Sequence, residues 1–377
     1  MFILVVGRGC PSKKYIMNGI FEFDQAKALG KTDCKVIYVS LDLRSIRRWR
    51  RWGLQHFNKE GIDVFNINIP CGRIPDYLLY KIGIYAFRYL YKMIKNEHGE
   101  PDIIHAHFLN NGYIVANIID EIKTRFIITE HLSDMHKKNI SKCMLKYASY
   151  AYNKADVLLA VSPSLANNIK TNLNVTAKYI PNIVDTTVFF PNTRSDHKGF
   201  RIVAVGGLIK EKNMDLLIEA FSIFTKENEN TELTIFGEGP ERGRLEQLIK
   251  VYKLSEKVFL QGYCPRKEIS EKMRESDLFV LVSQAETFGV AYIEALASGL
   301  PVIATKCGGP EGFINTNNGV LIPVNDKEAL IEAFQFMYKN IHEYDGIKIS
   351  GDIHELFSPA IIAHKLTEEY TQLMRKG

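Results

Sequence analysis

Two carboxylates separated by seven residues, Glu286 and Glu294, enclose the run Thr287, Phe288, Gly289 and Val290. An apolar stretch, Leu278 to Val282, precedes them and reads as a buried strand of a parallel sheet. From Gly289 onward the residues suit a helix, which Gly299 and Pro301 end. A helix amino end at the carboxyl edge of a parallel sheet offers free N–H groups and a partial positive charge. It is a ready seat for a phosphate or diphosphate. Glu294 falls one turn inside this helix, in the largely apolar run Val290 to Ala297. A carboxylate there is costly unless something satisfies it. Either the vicinal hydroxyls of a ribose or a helix face reaching water would do so.

Such a loop needs parallel sheets to hold it, and the chain is patterned for two. Phe2 to Val6 reads as a strand, then a loop rich in Gly, Pro, Ser and Lys runs from Gly7 to Asn18. Gly19 opens a helix with Ile20, Phe21, Phe23, Ala26 and Leu29 at helical spacing. Further strands are read at Lys35 to Ser40, Val64 to Ile69, Ile103 to Ala106, Arg125 to Thr129 and Val157 to Val161, with a helix over Asp76 to Asn96. Gly7-x-Gly9 lacks the third glycine of the dinucleotide fingerprint, which argues against an NAD-dependent oxidoreductase. A polar segment rich in breakers follows Phe190-Pro191 and marks a domain boundary. The second series of strands runs Ile202 to Val205, Leu233 to Phe236, Val258 to Leu260, Leu278 to Val282 and Val302 to Ala304. The expected architecture is α/β, with two Rossmann-like domains facing each other across a cleft. Residues 1–190 form the first and 191–357 the second, and a helix over 358–377 packs back on the first.

With 377 residues, 46% hydrophobic and 24% charged, the composition is that of a globular protein with room for two full cores. The opening M-F-I-L-V-V-G-R-G lacks a basic leader and its apolar run is too short for a signal peptide. No stretch approaches the roughly 20 apolar residues of a membrane span. Six cysteines without C-x-x-C or a Cys/His cluster read as reduced cytoplasmic thiols, with neither disulfide framework nor zinc. Residues 1–190 carry 26 Lys and Arg against 16 Asp and Glu, whereas 191–377 carry 22 against 27. The excess is concentrated in Arg44, Arg47, Arg48, Arg50 and Arg51, beside Trp49 and Trp52. A confined basic stripe with tryptophans fits an anionic membrane surface better than nucleic acid. The helix over Asp76 to Lys95, with Lys81, Arg88, Lys92 and Lys95 on one face, is a second candidate for that surface. The expected location is the cytoplasm, with Arg47, Arg48, Arg50 and Arg51 facing the inner side of the membrane.

Glu286-x7-Glu294, with Thr-Phe-Gly inside it and E-A-L-A-x-G-x-P-V-I after it, closely resembles the signature of retaining glycosyltransferases of the GT-B fold, family 4. Val205-Gly206-Gly207-Leu208 with Lys210-Glu211-Lys212 looks like that family's glycine turn and lysine, which receive the donor diphosphate. Gly207 stands where family members often carry arginine, so Lys212, Lys210 or another basic group must compensate. Ile235 to Pro240 matches a family turn that passes close to the nucleotide, and Gly262-Tyr263 lies where the family's base-contacting backbone would sit. In the first half Gly19 stands at the second of two family glycines, and Asn18 replaces the first. His105-Ala106-His107 and Thr129-Glu130-His131 resemble the family's two histidine stations; His105 reads as structural and His131 as functional.

The resemblance implies transfer of a sugar from a nucleotide donor, UDP- or GDP-linked, to a saccharide or lipid-linked hydroxyl, with retention at the anomeric carbon. Lys212 and the N–H groups at Gly289 and Val290 would stabilise the leaving diphosphate. Glu286 would hold the sugar and Glu294 the ribose, with Gly19 and His131 on the acceptor side. No Asp-x-Asp occurs, in keeping with a transfer that uses neither metal nor other cofactor. Surface polysaccharide, lipopolysaccharide or glycolipid synthesis is the implied setting. A nucleotide-sugar 2-epimerase and a non-catalytic nucleotide- or lipid-binding protein on the same scaffold are the alternatives.

Overall fold

The structure, a computed structural model, describes every residue except 73, 137–139, 192–197, 376 and 377. The chain divides into two compact units, Met1–Ile183 together with Pro359–Gly377, and Val184–Ser358. The polar boundary segment read from the sequence lies largely in 192–197, outside the described residues. The division falls before it because the preceding residues pack with the second unit. Val184 and Phe189 are buried, Val184 N donates to Phe357 O at 3.0 Å, and Val188 O accepts the Ser270 hydroxyl at 2.5 Å.

In the first unit the elements run β1 (Phe2–Gly7), α1 (Ile20–Leu29), β2 (Lys35–Asp42), β3 (Gly53–Lys59), β4 (Ile62–Asn68), α2 (Asp76–His98) and β5 (Ile103–His107). They continue with α3 (Phe108–Ala116), α4 (Ile119–Ile122), β6 (Arg125–Glu130), α5 (Lys142–Lys154), β7 (Val157–Ala160), α6 (Pro163–Leu173) and β8 (Lys178–Tyr179). The strand order is β3-β4-β2-β1-β5-β6-β7-β8, and every pair is parallel except β3 with β4. Winding reverses between β1 and β5, so the loops leaving their carboxyl ends open a crevice there. The sequence reading contained no β3. Its residues are mostly exposed, and Glu60 and Gly61, both at positive φ (50° and 84°), close the two-residue hairpin to β4.

The second unit runs β9 (Phe200–Val205), α7 (Met214–Glu227), β10 (Thr231–Phe236), α8 (Arg242–Val251), β11 (Val258–Gly262), α9 (Arg266–Arg274) and β12 (Leu278–Leu281). It continues with α10 (Val290–Ala297), β13 (Val302–Thr305), β14 (Gly319–Ile322), α11 (Lys327–Asn340) and α12 (Gly346–Phe357). Its six strands are all parallel in the order β11-β10-β9-β12-β13-β14, with the reversal between β9 and β12. Both units are therefore Rossmann-like α/β layers. The last helix, α13 (Pro359–Arg375), belongs to the first unit. Ile362, Leu366 and Tyr370 of this helix join Ile3, Phe23, Leu29 and Tyr38 in one apolar cluster. The Tyr370 hydroxyl and His105 Nδ1 lie 2.6 Å apart, and His105 Nε2 meets Thr129 Oγ1 at 2.6 Å. Both His105 nitrogens are thus engaged within the core, and the residue is structural.

Candidate active site

At the reversal point of the second sheet the loops leaving β9 and β12 meet. Lys212 Nζ is ion-paired with Glu286 Oε1, which also accepts the Ser283 hydroxyl at 2.8 Å. The two loops are bound together away from this pair as well. Gln284 N donates to Glu211 O at 2.8 Å, and Gln284 Nε2 to Asn213 Oδ1 at 2.7 Å. The β10 turn closes over the β9 turn because Gly237, at φ 144°, has no Cβ to strike Gly206 O. Gly207 faces open space, since a Cβ there would find nothing nearer than Glu238 O at 3.9 Å.

Gly289 precedes α10 with φ 91° and ψ 64°, a left-handed turn that a side chain would strain. No side chain caps this helix, and no acid sits in its first turn. The N–H groups that begin it at Val290 keep the helix's positive end available to an anion. Phe288 is buried, its ring against Phe313 at 5.2 Å and Phe357 at 5.7 Å, and Thr287 is nearly buried. Glu294 is 7% exposed, and Arg266 reaches its Oε1 through Nε at 3.0 Å and Nη2 at 2.6 Å. The sequence reading offered ribose or water to satisfy this carboxylate; a guanidinium from the start of α9 meets its Oε1. That arginine was missed, as was Ser283, which directly follows the strand read at Leu278 to Val282.

In the first unit, Gly19 starts α1 at φ 70°, where a Cβ would overlap Gly9 O. His131, at the carboxyl end of β6, is 9% exposed and shares a hydrogen bond from Nε2 to His107 Nδ1 at 3.0 Å. Its ring stacks on Phe108 at 4.6 Å, and the Arg8 guanidinium lies 3.1 Å from the Phe108 centroid. Phe108 itself holds φ 67°, a costly backbone state for an aromatic residue. Glu130 fixes the loop that carries His131. It accepts the N–H groups of His131 (2.8 Å) and Leu132 (2.7 Å) on one oxygen and the Tyr152 hydroxyl (2.6 Å) on the other. Burial and the neighbouring Arg8 charge push the His131 pKa down to about 3, so its imidazole is neutral at pH 7. Arg8 and Phe108 were missed by the sequence reading; Arg8 lies in the Gly7-x-Gly9 turn, and Phe108 directly follows His107.

The arginine stripe requires a correction. Arg47, Arg48 and Arg51 are exposed, as are Trp49 and Trp52. Arg50 instead turns inward, with its side chain 8% exposed. It pairs with Asp42 at 2.8 Å and donates to the carbonyls of Asp42, Arg44, Arg48 and Ile69 at 2.8–3.3 Å. Arg44 pairs with the same aspartate at 2.6 Å. Arg50 therefore holds the loop together and faces no membrane. On α2 the apolar residues Tyr80, Ala86, Phe87, Leu90 and Ile94 are buried, while Arg88 pairs with Glu121 at 2.6 Å and Lys95 with Glu100. Packing accounts for that buried side, whereas Tyr77, Tyr85 and Tyr89 remain exposed on the same helix as Lys81 and Lys92. No helix among the described residues is long and apolar enough to cross a membrane.

Comparison with known proteins agrees with this geometry. The family model described as glycosyl transferases group 1 matches residues 185–348, and the model of glycosyltransferase family 4 matches residues 23–188. The N-acetyl-alpha-D-glucosaminyl L-malate synthase of Bacillus anthracis is 26% identical over 293 residues, 73% of this chain and 75% of that protein. Two further curated relatives are matched over 62% of their own length. The sucrose-phosphate synthase of Thermosynechococcus elongatus superposes with a TM-score of 0.84 at 19% identity, covering 100% of both chains. The HepE protein of Anabaena, solved in complex with UDP, gives 0.75 at 17% identity over 98% of this chain and 99% of the other. Two Rossmann-like units of GT-B type, matched in turn by the two models, place the chain in the group 1, family 4 glycosyltransferases.

Proposed function

We propose that the chain transfers a sugar, with retention, from a UDP- or GDP-linked donor to a hydroxyl of a saccharide or lipid-linked acceptor in surface polysaccharide or glycolipid synthesis. The observation that carries this reading is the uncapped amino end of α10 beside the Lys212–Glu286 pair, at the reversal point of the second sheet. The UDP complex of the HepE neighbour supports a nucleotide donor. In this reading Lys212, the backbone at Gly207 and the N–H groups at Gly289 and Val290 receive the diphosphate, whose negative charge grows as the glycosidic bond breaks. Lys212 also holds Glu286, which hydrogen-bonds the sugar hydroxyls. Glu294, oriented by Arg266, binds the ribose.

No carboxylate is assigned the part of covalent nucleophile. The acceptor hydroxyl attacks on the face the diphosphate leaves, and a departing phosphate oxygen takes its proton. Gly19 and neutral His131 serve the acceptor side, His131 as a hydrogen-bonding group for a hydroxyl. Charge is neutralised by Lys212 and backbone dipoles, so the reaction is read as needing neither metal nor other cofactor. Exposed Arg47, Arg48 and Arg51, with Trp49 and Trp52, suit a cytoplasmic protein resting on an anionic membrane surface.

The test is incubation with a panel of nucleotide sugars and sugar acceptors, reading nucleoside diphosphate release and the anomeric configuration of the product. Lys212→Ala should lower turnover about 10²–10³-fold while donor affinity changes little, because the lost interaction grows in the transition state. Glu294→Ala should weaken nucleotide binding by about 1–3 kcal/mol. Unchanged turnover in folded Lys212→Ala removes that lysine from the mechanism, and an inverted product removes the retaining assignment.

A further inference from the structure

The first unit contains a cavity of about 380 Å³ at the carboxyl ends of β2 and β4, between the loop after β1 and the arginine segment. Five cations line it, Lys13, Lys14, Arg44, Arg50 and Arg51, against one carboxylate, Asp42. Arg44 and Arg50 already neutralise Asp42. Lys13, Lys14 and Arg51 pair with no carboxylate among the described residues, so the cavity carries an uncompensated positive charge. Its form is set by internal bonds. The Tyr15 hydroxyl donates to Trp49 O at 3.3 Å, Asn68 Nδ2 to Arg51 O at 2.7 Å, and Lys59 to Pro11 O. Asn66 and Asn68 in the wall are nearly buried. Tyr15, Trp49 and Phe57 add aromatic surface.

We infer that this cavity binds the phosphate or pyrophosphate group of an anionic acceptor. The inference rests on the glycosyl-transfer reading and narrows its acceptor to a phosphorylated class. Three points carry it. The volume lies within the roughly 300–1,000 Å³ of small-ligand pockets, which leaves room for a sugar ring or prenyl stem beside the anion. The free cations converge on a concave wall, where low-dielectric sides strengthen their field. The amino end of α10 offers the donor diphosphate a separate seat in the other unit, so this charge is left for the acceptor. A flat lipid surface explains Arg47 and Arg48, which lie outside the cavity lining, but not the unpaired cations that line it.

The chain has two tryptophans, Trp49 and Trp52, with rings 5.1 Å apart, and Trp49 lines the cavity. Intrinsic tryptophan emission therefore reports this region and not the donor seat. The wild type is titrated at low salt with inorganic pyrophosphate, inorganic phosphate and geranyl pyrophosphate. We expect a saturable emission change with the pyrophosphates, weakening as salt is raised. Affinity should fall at least tenfold in Lys13→Gln/Lys14→Gln/Arg51→Gln, whose three side chains are exposed, and stay within twofold in Lys212→Gln. Tighter binding of geranyl pyrophosphate than of pyrophosphate identifies a lipid-linked acceptor, and equal binding a soluble phosphorylated saccharide; the pocket stands in both cases. No emission change, or equal affinity in the triple variant, overturns the inference. A change with phosphatidylglycerol vesicles but with no soluble probe also overturns it, in favour of a lipid surface. The titration needs no turnover, so a protein that binds pyrophosphate here yet releases no nucleotide refutes the transfer reading alone.

Discussion

Acidification should loosen the first unit, and His131 allows the size of the effect to be worked out. In the unfolded chain this residue takes up a proton near its ordinary value of about 6.5. In the folded chain burial and Arg8 hold it at about 3. Between these values the unfolded state binds the proton and the folded state does not, so stability falls as pH falls, by about 1.4 kcal/mol per pH unit. From pH 7.5 to pH 5 the loss from this one group is about 2 kcal/mol, or about 4–8 °C in the melting temperature of a unit this size. The assay compares melting at pH 7.5 and pH 5 for wild type and His131→Gln, which can still reach His107. The quantity read is the difference between the two pH values, so a general cost of the substitution cancels. The variant should lose about 2 kcal/mol less than the wild type on acidification. Equal pH differences in the two proteins would refute the placement of a neutral, desolvated imidazole. For the same reason the activity of the wild type should show no ionisation of His131 between pH 5 and 8.

Two glycines and one arginine supply further tests. Gly289→Ala places a Cβ 2.5 Å from Tyr292 at φ 91°, so it should lower the melting temperature and weaken UDP binding, both read in one thermal-shift titration. Gly207→Arg, by contrast, enters open space and should melt as the wild type does while binding UDP several-fold more tightly through an added cation near the diphosphate seat. Arg50→Gln removes the Asp42 pair and several carbonyl contacts of a nearly buried guanidinium, at a cost of about 2–4 kcal/mol in chemical denaturation. Arg47→Gln, on the exposed side of the same loop, should stay within about 0.5 kcal/mol; equal costs for the two would contradict the inward placement of Arg50.

The α/β alternation was legible because buried parallel strands are short apolar runs, and those between Phe2 and Val161 and between Ile202 and Ala304 stand out between amphipathic helices. β3 was illegible for the converse reason. It lies at the sheet edge, is polar and exposed, and its turn uses Glu60-Gly61 in place of a recognised hairpin pair. The division at Ile183 was displaced in the reading because breaker residues mark where a chain turns, whereas membership of a unit depends on where Val184 and Phe189 are buried. The carboxylates Glu286 and Glu294 were visible as spacing, since one loop and one helix carry both. Lys212 was singled out too, but for the diphosphate and not as the partner of Glu286, and Arg266 was not singled out at all. Lys212 and Arg266 reach Glu286 and Glu294 from other elements, at separations of 74 and 28 residues that carry no periodic signal.

A run of like charges is the least informative pattern of all, because it does not say which charges meet carbonyls. Arg47, Arg48, Arg50 and Arg51 are equivalent on paper, yet Arg50 alone of the four is drawn in by Asp42 and the carbonyls about it. The histidine station adds a second limit. His131 could be singled out by its position after a strand, but its character depends on Phe108 and Arg8. Phe108 stands at φ 67° directly after β5, and that unfavourable backbone sets its ring against His131. Arg8, from the loop after β1, lies on the same ring and helps keep the imidazole uncharged. Three strand ends thus converge to set one protonation state, and two of the three residues would pass as ordinary in any window of sequence. Backbone strain of this kind persists only where surrounding contacts over-determine it. Its position beside the histidine cluster favours, independently of the motif, the acceptor-side role proposed for His131.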